Sequence, residues 1–205
     1  MPIALIDYGA GNLTSVKNAL AAIGADVFVP AAPGEVARAS GIIVPGVGHF
    51  GATRALGPAW VAAVVASVGE GRPLLGICLG MQWLFEGSEE APDAPGLGLL
   101  AGRCRRLSGA PAAAGRDPIK VPHVGWNTLT LVRDAAIAEG VADQSQVYFT
   151  HSYVAPVTGD AVATTGHGEI FAAIVERGNV SGVQFHPEKS GEVGLRILRN
   201  FLRLA

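Results

Sequence analysis

The sequence predicts an α/β fold: a single domain with a largely parallel central sheet flanked by helices. In the first half, short apolar strand-like runs alternate with runs of helical period, and strands joined by helical crossovers pair in parallel. In the second half, strand-like runs follow one another with little helical period, so we expect antiparallel strands to be added to the sheet there. A length of 205 residues suits one domain with a substantial core, and we assign residues 1–205 to that domain.

In the first half, strands and helices are predicted from the spacing of apolar residues. Apolar runs bounded by Gly, Pro or charge predict strands, and apolar positions that share one helical face, such as Leu13, Val16 and Leu20, predict helices. The predicted strands cover residues 3–7, 26–29, 41–44 and 74–77, and the predicted helices cover residues 12–23, 60–68 and 79–85.

The second half is predicted to be mostly strand, with one final helix. Ser190 can cap that helix, which we place at residues 192–204. Residues 86–96 and 108–118 are rich in Pro, Gly, Ala or acidic residues and are predicted to be surface loops. The predicted strands cover residues 102–107, 120–124, 127–132, 147–150, 161–165, 171–176 and 180–184.

Composition excludes several classes of protein. A net charge of −2 gives no reason to expect nucleic acid or an anionic membrane as a partner. The two cysteines, Cys78 and Cys104, do not make a disulfide framework, and the apolar runs are too short to span a bilayer. No Cys/His spacing predicts a metal site. We therefore expect a soluble cytoplasmic protein without a metal or other cofactor.

Cys78 lies in Gly-Ile-Cys-Leu-Gly, between a predicted strand and a predicted helix. A residue at such a corner sits on a tight turn, which the glycines two before and two after it make possible. The helix N-terminus favours the thiolate, which is the nucleophilic form. Free cysteine is also a common core residue, but a core cysteine has no need of both glycines. The pattern predicts a nucleophile.

His186 and Glu188 supply the two groups that such a nucleophile needs. His186 follows an apolar strand, and Glu188 is close enough along the chain to accept from the imidazole and hold its tautomer. The alternative for His-Pro-Glu alone is an ordinary solvated turn. Taken with the cysteine corner, the order cysteine, histidine, acid predicts covalent thiol catalysis.

A glycine-rich loop at residues 45–51 follows the strand at 41–44. Glycines let the backbone come close to a ligand and turn its N–H groups inward. In a thiol enzyme this loop would supply a second oxyanion donor beside the N–H of Leu79. A phosphate-binding loop is the competing interpretation, but the G-x-x-x-x-G-K-[ST] pattern is absent from the sequence.

These motifs resemble those of the class I (triad) glutamine amidotransferases. The resemblance is carried by residues 45–48, 76–82 and 182–188 in the family's order, and it spans essentially the whole chain. Within the family the chain is most similar to the glutaminase subunits of imidazole glycerol phosphate synthases, through residues 7–13, 123–127 and 150–153.

The resemblance implies a role for each matching residue. Cys78 attacks the side-chain amide of glutamine, His186 acts as base and then acid, and Glu188 orients it. The backbone N–H groups of Val47 and Leu79 stabilise the oxyanion. Four residues hold the substrate glutamine: Gly48, Gln82, Ser152 and Tyr153. The products are glutamate and ammonia, formed through a γ-glutamyl thioester.

The resemblance also implies a heterodimer with a (βα)8-barrel cyclase. That partner would use the ammonia to make imidazole glycerol phosphate and an aminoimidazole carboxamide ribotide, in histidine biosynthesis. We expect the rim of the cleft to be the interface, with Trp126 as its main anchor because tryptophan offers a large apolar face and one N–H. The alternative is that Trp126 packs in the core. The predicted interface residues are Asn12, His123, Trp126 and Lys189.

Two other functions stay open at this point. One is the glutaminase subunit of anthranilate, aminodeoxychorismate or pyridoxal phosphate synthase, against which we weigh Asn12 with Leu13 and residues 125–127. The other is a non-catalytic regulatory module of the same fold, against which we weigh the intact Cys78, His186 and Glu188.

Overall fold

A computed structural model describes residues 2–11, 13–109 and 119–205. The described residues form thirteen strands and four α-helices. The helices are α1 (Leu13–Ala22), α2 (Pro58–Gly69), α3 (Leu79–Trp83) and α4 (Gly191–Leu204). The strands are β1 (Ile3–Leu5), β2 (Val27–Phe28), β3 (Gly41–Val44), β4 (Leu74–Ile77), β5 (Gly87–Ser88), β6 (Arg103–Arg106), β7 (His123–Thr128), β8 (Thr130–Leu131), β9 (Gln146–His151), β10 (Tyr153–Val154), β11 (Ala161–Gly166), β12 (Ile170–Arg177) and β13 (Val180–Val183).

The central sheet has eight strands in the order β2-β1-β3-β4-β13-β12-β11-β8. The first five run parallel, and the last three are added antiparallel. This arrangement confirms the predicted fold class. All four residues of β4 are buried, as are those of its neighbours β3 and β13, because helices cover both faces of a parallel sheet.

The two faces of the sheet pack against different helices. Alternate residues of a strand point to opposite faces, so Leu74 of β4 and Leu75 beside it belong to different cores. One core includes Leu20 of α1 and Phe201 of α4, and the other includes Val64 of α2 together with most of α3. The sheet therefore holds β4 and β13 rigidly between two apolar layers.

Five strands of the described chain lie outside the central sheet, in two small sheets. Strands β7 and β9 form an antiparallel pair, and β10, β6 and β5 form a three-stranded sheet. Strand β6 alternates exposed and buried residues at Arg103 and Cys104, as a sheet with one solvated face requires. Part of the predicted loop at 86–96 is strand β5, whose two residues are buried. Residues 110–118 of the other predicted loop lie outside the described residues.

Ser190 stands at the N-cap of α4, as predicted, but its hydroxyl does not cap the helix. The Oγ atom accepts a hydrogen bond from the Tyr148 amide at 3.0 Å and donates one to the His186 carbonyl at 2.7 Å. Ser190 therefore ties the segment after β13 to strand β9.

Over the residues that the structure describes, none of the helices combines the length and the apolar character needed to cross a lipid bilayer.

Candidate active site

Cys78 lies at a sharp corner between β4 and α3. Its backbone angles are φ 53° and ψ −105°, a conformation that is strained for any residue with a Cβ atom. The flanking glycines are required sterically: a Cβ atom on Gly80 would lie 1.8 Å from the Val44 carbonyl oxygen, and one on Gly76 would lie 2.6 Å from that of Gly80. The strained backbone conformation of Cys78 therefore places the thiol at the end of β4.

The sulfur of Cys78 is buried between two polar groups. The thiol approaches the Thr150 carbonyl at 3.9 Å, and the Gln184 side-chain amide approaches the sulfur at 3.7 Å. Only 4% of the Cys78 surface is exposed. Gln184 comes directly after β13, whose residue Val183 pairs with Ile77 of β4. The carboxyl ends of two adjacent parallel strands thus bring the nucleophile and the next segment together.

His186 and Glu188 form a buried hydrogen-bonded pair. The His186 Nδ1 atom lies 2.8 Å from Glu188 Oε1, and each side chain is 2% exposed. Among the described residues the Nε2 atom of His186 has no hydrogen-bond partner, so this nitrogen remains available to Cys78. Burial lowers the pKa of His186, but the neighbouring Cys78 and Glu188 outweigh it and raise that pKa to about 9. The structure therefore brings the three predicted catalytic residues together.

The predicted oxyanion donors are not available in this conformation. The Leu79 amide donates a hydrogen bond to the Gly46 carbonyl oxygen at 3.2 Å. In a planar trans peptide the N–H points opposite to the C=O, so the Val47 N–H is directed away from Leu79. The predicted oxyanion hole is therefore closed, and a turn of the Gly46–Val47 peptide would free the Leu79 amide and direct the Val47 amide toward it.

Glu90 anchors the glycine-rich loop that carries this peptide. Its Oε2 atom accepts a hydrogen bond from the Phe50 amide at 2.6 Å, and its side chain lines the cleft beside Cys78. Sequence reasoning missed this residue because it lies in the segment predicted to be a surface loop, and nothing local indicates a partner 40 residues away.

A cleft of about 320 Å³ opens beside the thiol. All four predicted substrate-binding residues line it, together with Cys78 and both predicted oxyanion residues. Gln82 uses its amide hydrogens internally, on the Tyr153 carbonyl at 2.9 Å and on Gln184 Oε1 at 3.2 Å. It therefore fixes the wall of the cleft that Tyr153 provides. Other lining residues, which sequence reasoning did not identify, are Glu90, Pro122, Thr150 and His151.

A series of hydrogen bonds behind the cleft joins Asn127, His123 and His151 to the Tyr153 carbonyl, and the donor and acceptor of each bond can be assigned. The Tyr153 carbonyl can only accept, so His151 donates to it from Nδ1 at 3.1 Å and accepts at Nε2. His123 then donates from Nδ1 to His151 at 3.2 Å, and its Nε2 accepts from the Asn127 amide, also at 3.2 Å. Burial lowers the pKa of His151 to about 3 and that of His123 to about 4, so both rings are neutral at pH 7.

The predicted interface residues occupy different environments. Trp126 on β7 is 55% exposed, which excludes the core packing considered for it. Its indole meets the Tyr148 ring edge-on at 6.0 Å, and the exposed Lys189 places its ammonium 5.7 Å from that same ring. His123 is a correction: it is only 3% exposed because it stacks between Phe149 and His167, so it is not a rim group. Asn12 lies outside the described residues.

Comparisons with known proteins identify the family of the chain. The family model "Glutamine amidotransferase class-I" matches residues 4–205. The imidazole glycerol phosphate synthase subunit HisH of Moorella thermoacetica is 48% identical over 204 residues, which are 98% of this chain and 93% of that protein. The corresponding subunit of Bacillus cytotoxicus is 46% identical over 202 residues, 97% of this chain and 93% of its own.

A solved crystal structure of a glutamine amidotransferase supports the fold. It matches with a TM-score of 0.74 at 23% identity and covers 98% of this chain and 97% of its own. At that identity the similarity bears on the fold alone, whereas the subunits described above match over nearly their full length at much higher identity. The chain therefore belongs to the class-I glutamine amidotransferases, and within them to the family of HisH subunits of imidazole glycerol phosphate synthase.

Proposed function

We propose that this chain, over residues 1–205, is the glutaminase subunit of a cytoplasmic imidazole glycerol phosphate synthase. It hydrolyses L-glutamine to glutamate and ammonia and passes the ammonia to a cyclase subunit. The observation that carries this proposal is the strained, buried Cys78 at a cleft, next to a histidine whose other nitrogen is held by Glu188 at 2.8 Å.

The first half-reaction releases ammonia. The Cys78 thiolate attacks the side-chain amide carbon of glutamine, and the carbonyl electron pair moves onto oxygen to form the oxyanion. As the C–N bond breaks, the His186 imidazolium gives its Nε2 proton to the leaving nitrogen, and a γ-glutamyl thioester remains on Cys78. Glu188 holds Nδ1, so the proton that moves is always the one on Nε2.

The second half-reaction regenerates the thiolate. His186, now neutral, takes a proton from water as the water oxygen attacks the thioester carbonyl. The C–S bond then breaks, glutamate leaves, and the thiolate and imidazolium are restored. Because both half-reactions pass through an oxyanion, both need the Leu79 amide that Gly46 occupies in the closed state.

The closed hole gives the partner a physical role. Ammonia released to water at neutral pH is mostly protonated and no longer nucleophilic, so glutamine is wasted unless an acceptor site is ready. A partner that turns the Gly46–Val47 peptide would couple the two reactions. We propose that this partner is a (βα)8-barrel cyclase and that the two subunits form a heterodimer, a proposal supported by the synthase relatives at 46% and 48% identity.

We place the interface at the group formed by the exposed Trp126 and Lys189 and the half-buried Tyr148. The Tyr148 carbonyl accepts a hydrogen bond from the His186 amide at 2.9 Å, so this group contacts the backbone of His186 directly. Exposed Val124, on the same strand as Trp126, enlarges the apolar surface. Such a patch of aromatic and apolar groups with a charged edge is typical of a protein interface.

The test uses the complex with the cyclase and compares two nitrogen sources. Cys78→Ser should abolish product formation from glutamine but leave formation from added ammonium salt intact, because only the glutaminase step needs the thiol. Cys104→Ser, which changes the buried second cysteine, is the matched control and should retain both activities. The proposal fails if Cys78→Ser keeps glutamine-dependent synthesis. It also fails if the wild-type chain supplies ammonia to the synthase subunit of another amidotransferase and not to the cyclase.

A further inference from the structure

The hydroxyl of Tyr8 is buried beside the peptide that closes the oxyanion hole. Tyr8 follows β1, and a Cβ atom built on Gly46 would lie 2.0 Å from its Oη atom and 3.0 Å from the Leu79 Cβ. The hydroxyl therefore occupies the space directly next to the Gly46 backbone. Gly46 must be glycine because any side chain would collide with this group.

Among the residues that the structure describes, this hydroxyl has no hydrogen-bond partner in the closed state. Within the described part of the chain, four buried side-chain polar atoms are without a hydrogen-bond partner: Tyr8 Oη, Thr165 Oγ1, His186 Nε2 and Glu188 Oε2. Two of these belong to the triad. A buried, unpaired donor destabilises a fold, and phenylalanine would fill the same space without that cost. No interaction that the structure describes in the closed state therefore explains why this position carries a hydroxyl.

The Gly46 carbonyl has the complementary problem in the open state. While the hole is closed it accepts from the Leu79 amide at 3.2 Å. When the peptide turns, this carbonyl loses its donor inside the protein, and a buried carbonyl without a partner opposes the turn. Tyr8 Oη is the unpaired donor that lies against Gly46.

The charge state of Tyr8 suits it to donate. Burial, with the nearby Cys78 as a second cause, raises the pKa of the Tyr8 hydroxyl well above its usual range. The group therefore keeps its proton when Cys78 is a thiolate.

We propose that Tyr8 is a positioning residue: its hydroxyl donates to the Gly46 carbonyl oxygen once the Gly46–Val47 peptide has turned, and so stabilises the open oxyanion hole. This inference rests on the proposed glutaminase function. Tyr8 does not line the cleft, so it acts through the loop and not on glutamine. It lies in the loop that leads from β1 to α1, and this loop also packs against the glycine-rich loop, since a Cβ atom on Gly11 would lie 3.3 Å from Gly46 Cα.

Tyr8→Phe separates this role from a structural one because the two readouts move in different directions. With one hydrogen bond of the open state removed, kcat for glutamine hydrolysis should fall roughly tenfold, in the isolated chain and in the complex with the cyclase. The KM for glutamine should not change. The melting temperature should stay the same or rise, since the variant loses only an unpaired hydroxyl in the closed state. The matched control is Thr165→Val, which removes the other unpaired hydroxyl outside the triad and should leave kcat unchanged.

Alkylation of Cys78 by iodoacetamide supplies a second measurement. That displacement forms no oxyanion, so its rate should be the same in wild type and Tyr8→Phe. Equal kcat values in wild type and Tyr8→Phe would overturn the inference, as would a kcat loss that comes with a lower melting temperature and slower alkylation. If the wild-type complex failed to hydrolyse glutamine, the proposed function would fall, and this inference with it.

Discussion

The Leu79 amide and the Gly46 carbonyl oxygen lie 3.2 Å apart, and their hydrogen bond closes the predicted oxyanion hole beside the predicted triad. The predicted nucleophile and acid–base groups are in place, while the predicted oxyanion donors are not free to act. Loss of one oxyanion donor typically lowers kcat by about 10²- to 10³-fold. The closed peptide alone is thus enough to make the isolated chain a slow enzyme.

Cys78 and Cys104 should differ sharply in reactivity. A glutamine-analogue alkylator should label Cys78, which lines the cleft, and spare Cys104, which is fully buried. Burial also raises the pKa of the Cys104 thiol, so little thiolate is present there at neutral pH. Peptide mapping by mass spectrometry measures both sites in one sample. Equal labelling of the two cysteines would show that the nucleophile is wrongly assigned.

Glu188→Gln should shift the alkaline limb of the pH profile of kcat/KM, which reports the ionisable groups of the free enzyme. In the wild type this limb should lie near pH 9, where the His186 imidazolium loses its proton. The Glu188 carboxylate is one of the groups that raise this pKa, so a neutral amide in its place should move the limb to lower pH. The profile is measured on the complex with glutamine well below its KM, and an unmoved limb would mean that Glu188 does not raise the pKa of His186.

The triad should also lose activity as a unit. Glu188→Gln should cost less than His186→Ala because it only misorients the imidazole. The double variant should be no slower than His186→Ala alone, since triad losses are not additive. Simple multiplication of the two losses would count against a shared role.

Trp126→Ala should weaken the complex with the cyclase by about tenfold or more, the effect expected of a central aromatic anchor. The indole is 55% exposed in the free chain, so its removal should leave the melting temperature unchanged. Val65→Ala, at an exposed position of α2 with 40% of its surface accessible, is the control for a general loss of apolar surface. Isothermal titration calorimetry gives the two dissociation constants directly.

Lys189→Ala should weaken the same complex more at low than at high ionic strength, because an exposed charge pair is screened by salt. Unchanged affinity in both Trp126→Ala and Lys189→Ala would move the interface elsewhere on the surface.

Acid should destabilise the chain through His123 and His151. Their pKa values in the folded state, about 4 and about 3, lie below the ordinary value of 6.5, so the unfolded chain binds more protons between these limits. The free energy of unfolding should fall as the pH drops below 6.5, by up to about 1.4 kcal/mol per pH unit for each ring. The raised pKa of His186 acts on the other side: its contribution is present below pH 6.5 and is lost as the pH rises through about 9.

Urea titrations at pH 6 and pH 5 check this dependence. His123→Gln removes one titrating ring, so its loss of stability between the two pH values should be smaller than that of the wild type. The quantity compared is the change in the free energy of unfolding per pH unit. The free energy of unfolding itself is not compared, because the variant also changes hydrogen bonds to Asn127 and His151. Identical slopes would mean that His123 does not stay neutral in the fold.

Sequence reasoning succeeded where the cause is local. The apolar run at β4, the glycines around Cys78 and the two-residue spacing of His186 and Glu188 each act through neighbours along the chain. Such patterns predict the parallel half of the sheet and the corner that carries Cys78, whereas the residues expected to hold glutamine follow only from the family resemblance.

Local sequence patterns do not predict contacts between residues that are far apart along the chain. Glu90 anchors Phe50 from 40 residues away, and the chain from Asn127 to His151 needs the register of β7 against β9. The same limit explains His123, which was predicted to be at the rim but is covered by Phe149 and His167 from other parts of the chain. Whether Leu79 faces a free hole or the Gly46 carbonyl depends on a single peptide orientation, for which the sequence Pro-Gly-Val-Gly allows either choice.

The rate of glutamate release, measured for the isolated chain and for its complex with the cyclase and bound acceptor, shows whether the oxyanion hole stays closed until the partner binds. The closed hole predicts slow release from the isolated chain and a rise of about 10²- to 10³-fold in the complex. Cys78→Ser should release no glutamate in either state. A full rate in the isolated chain that the partner does not change would mean that the oxyanion hole is open without the partner.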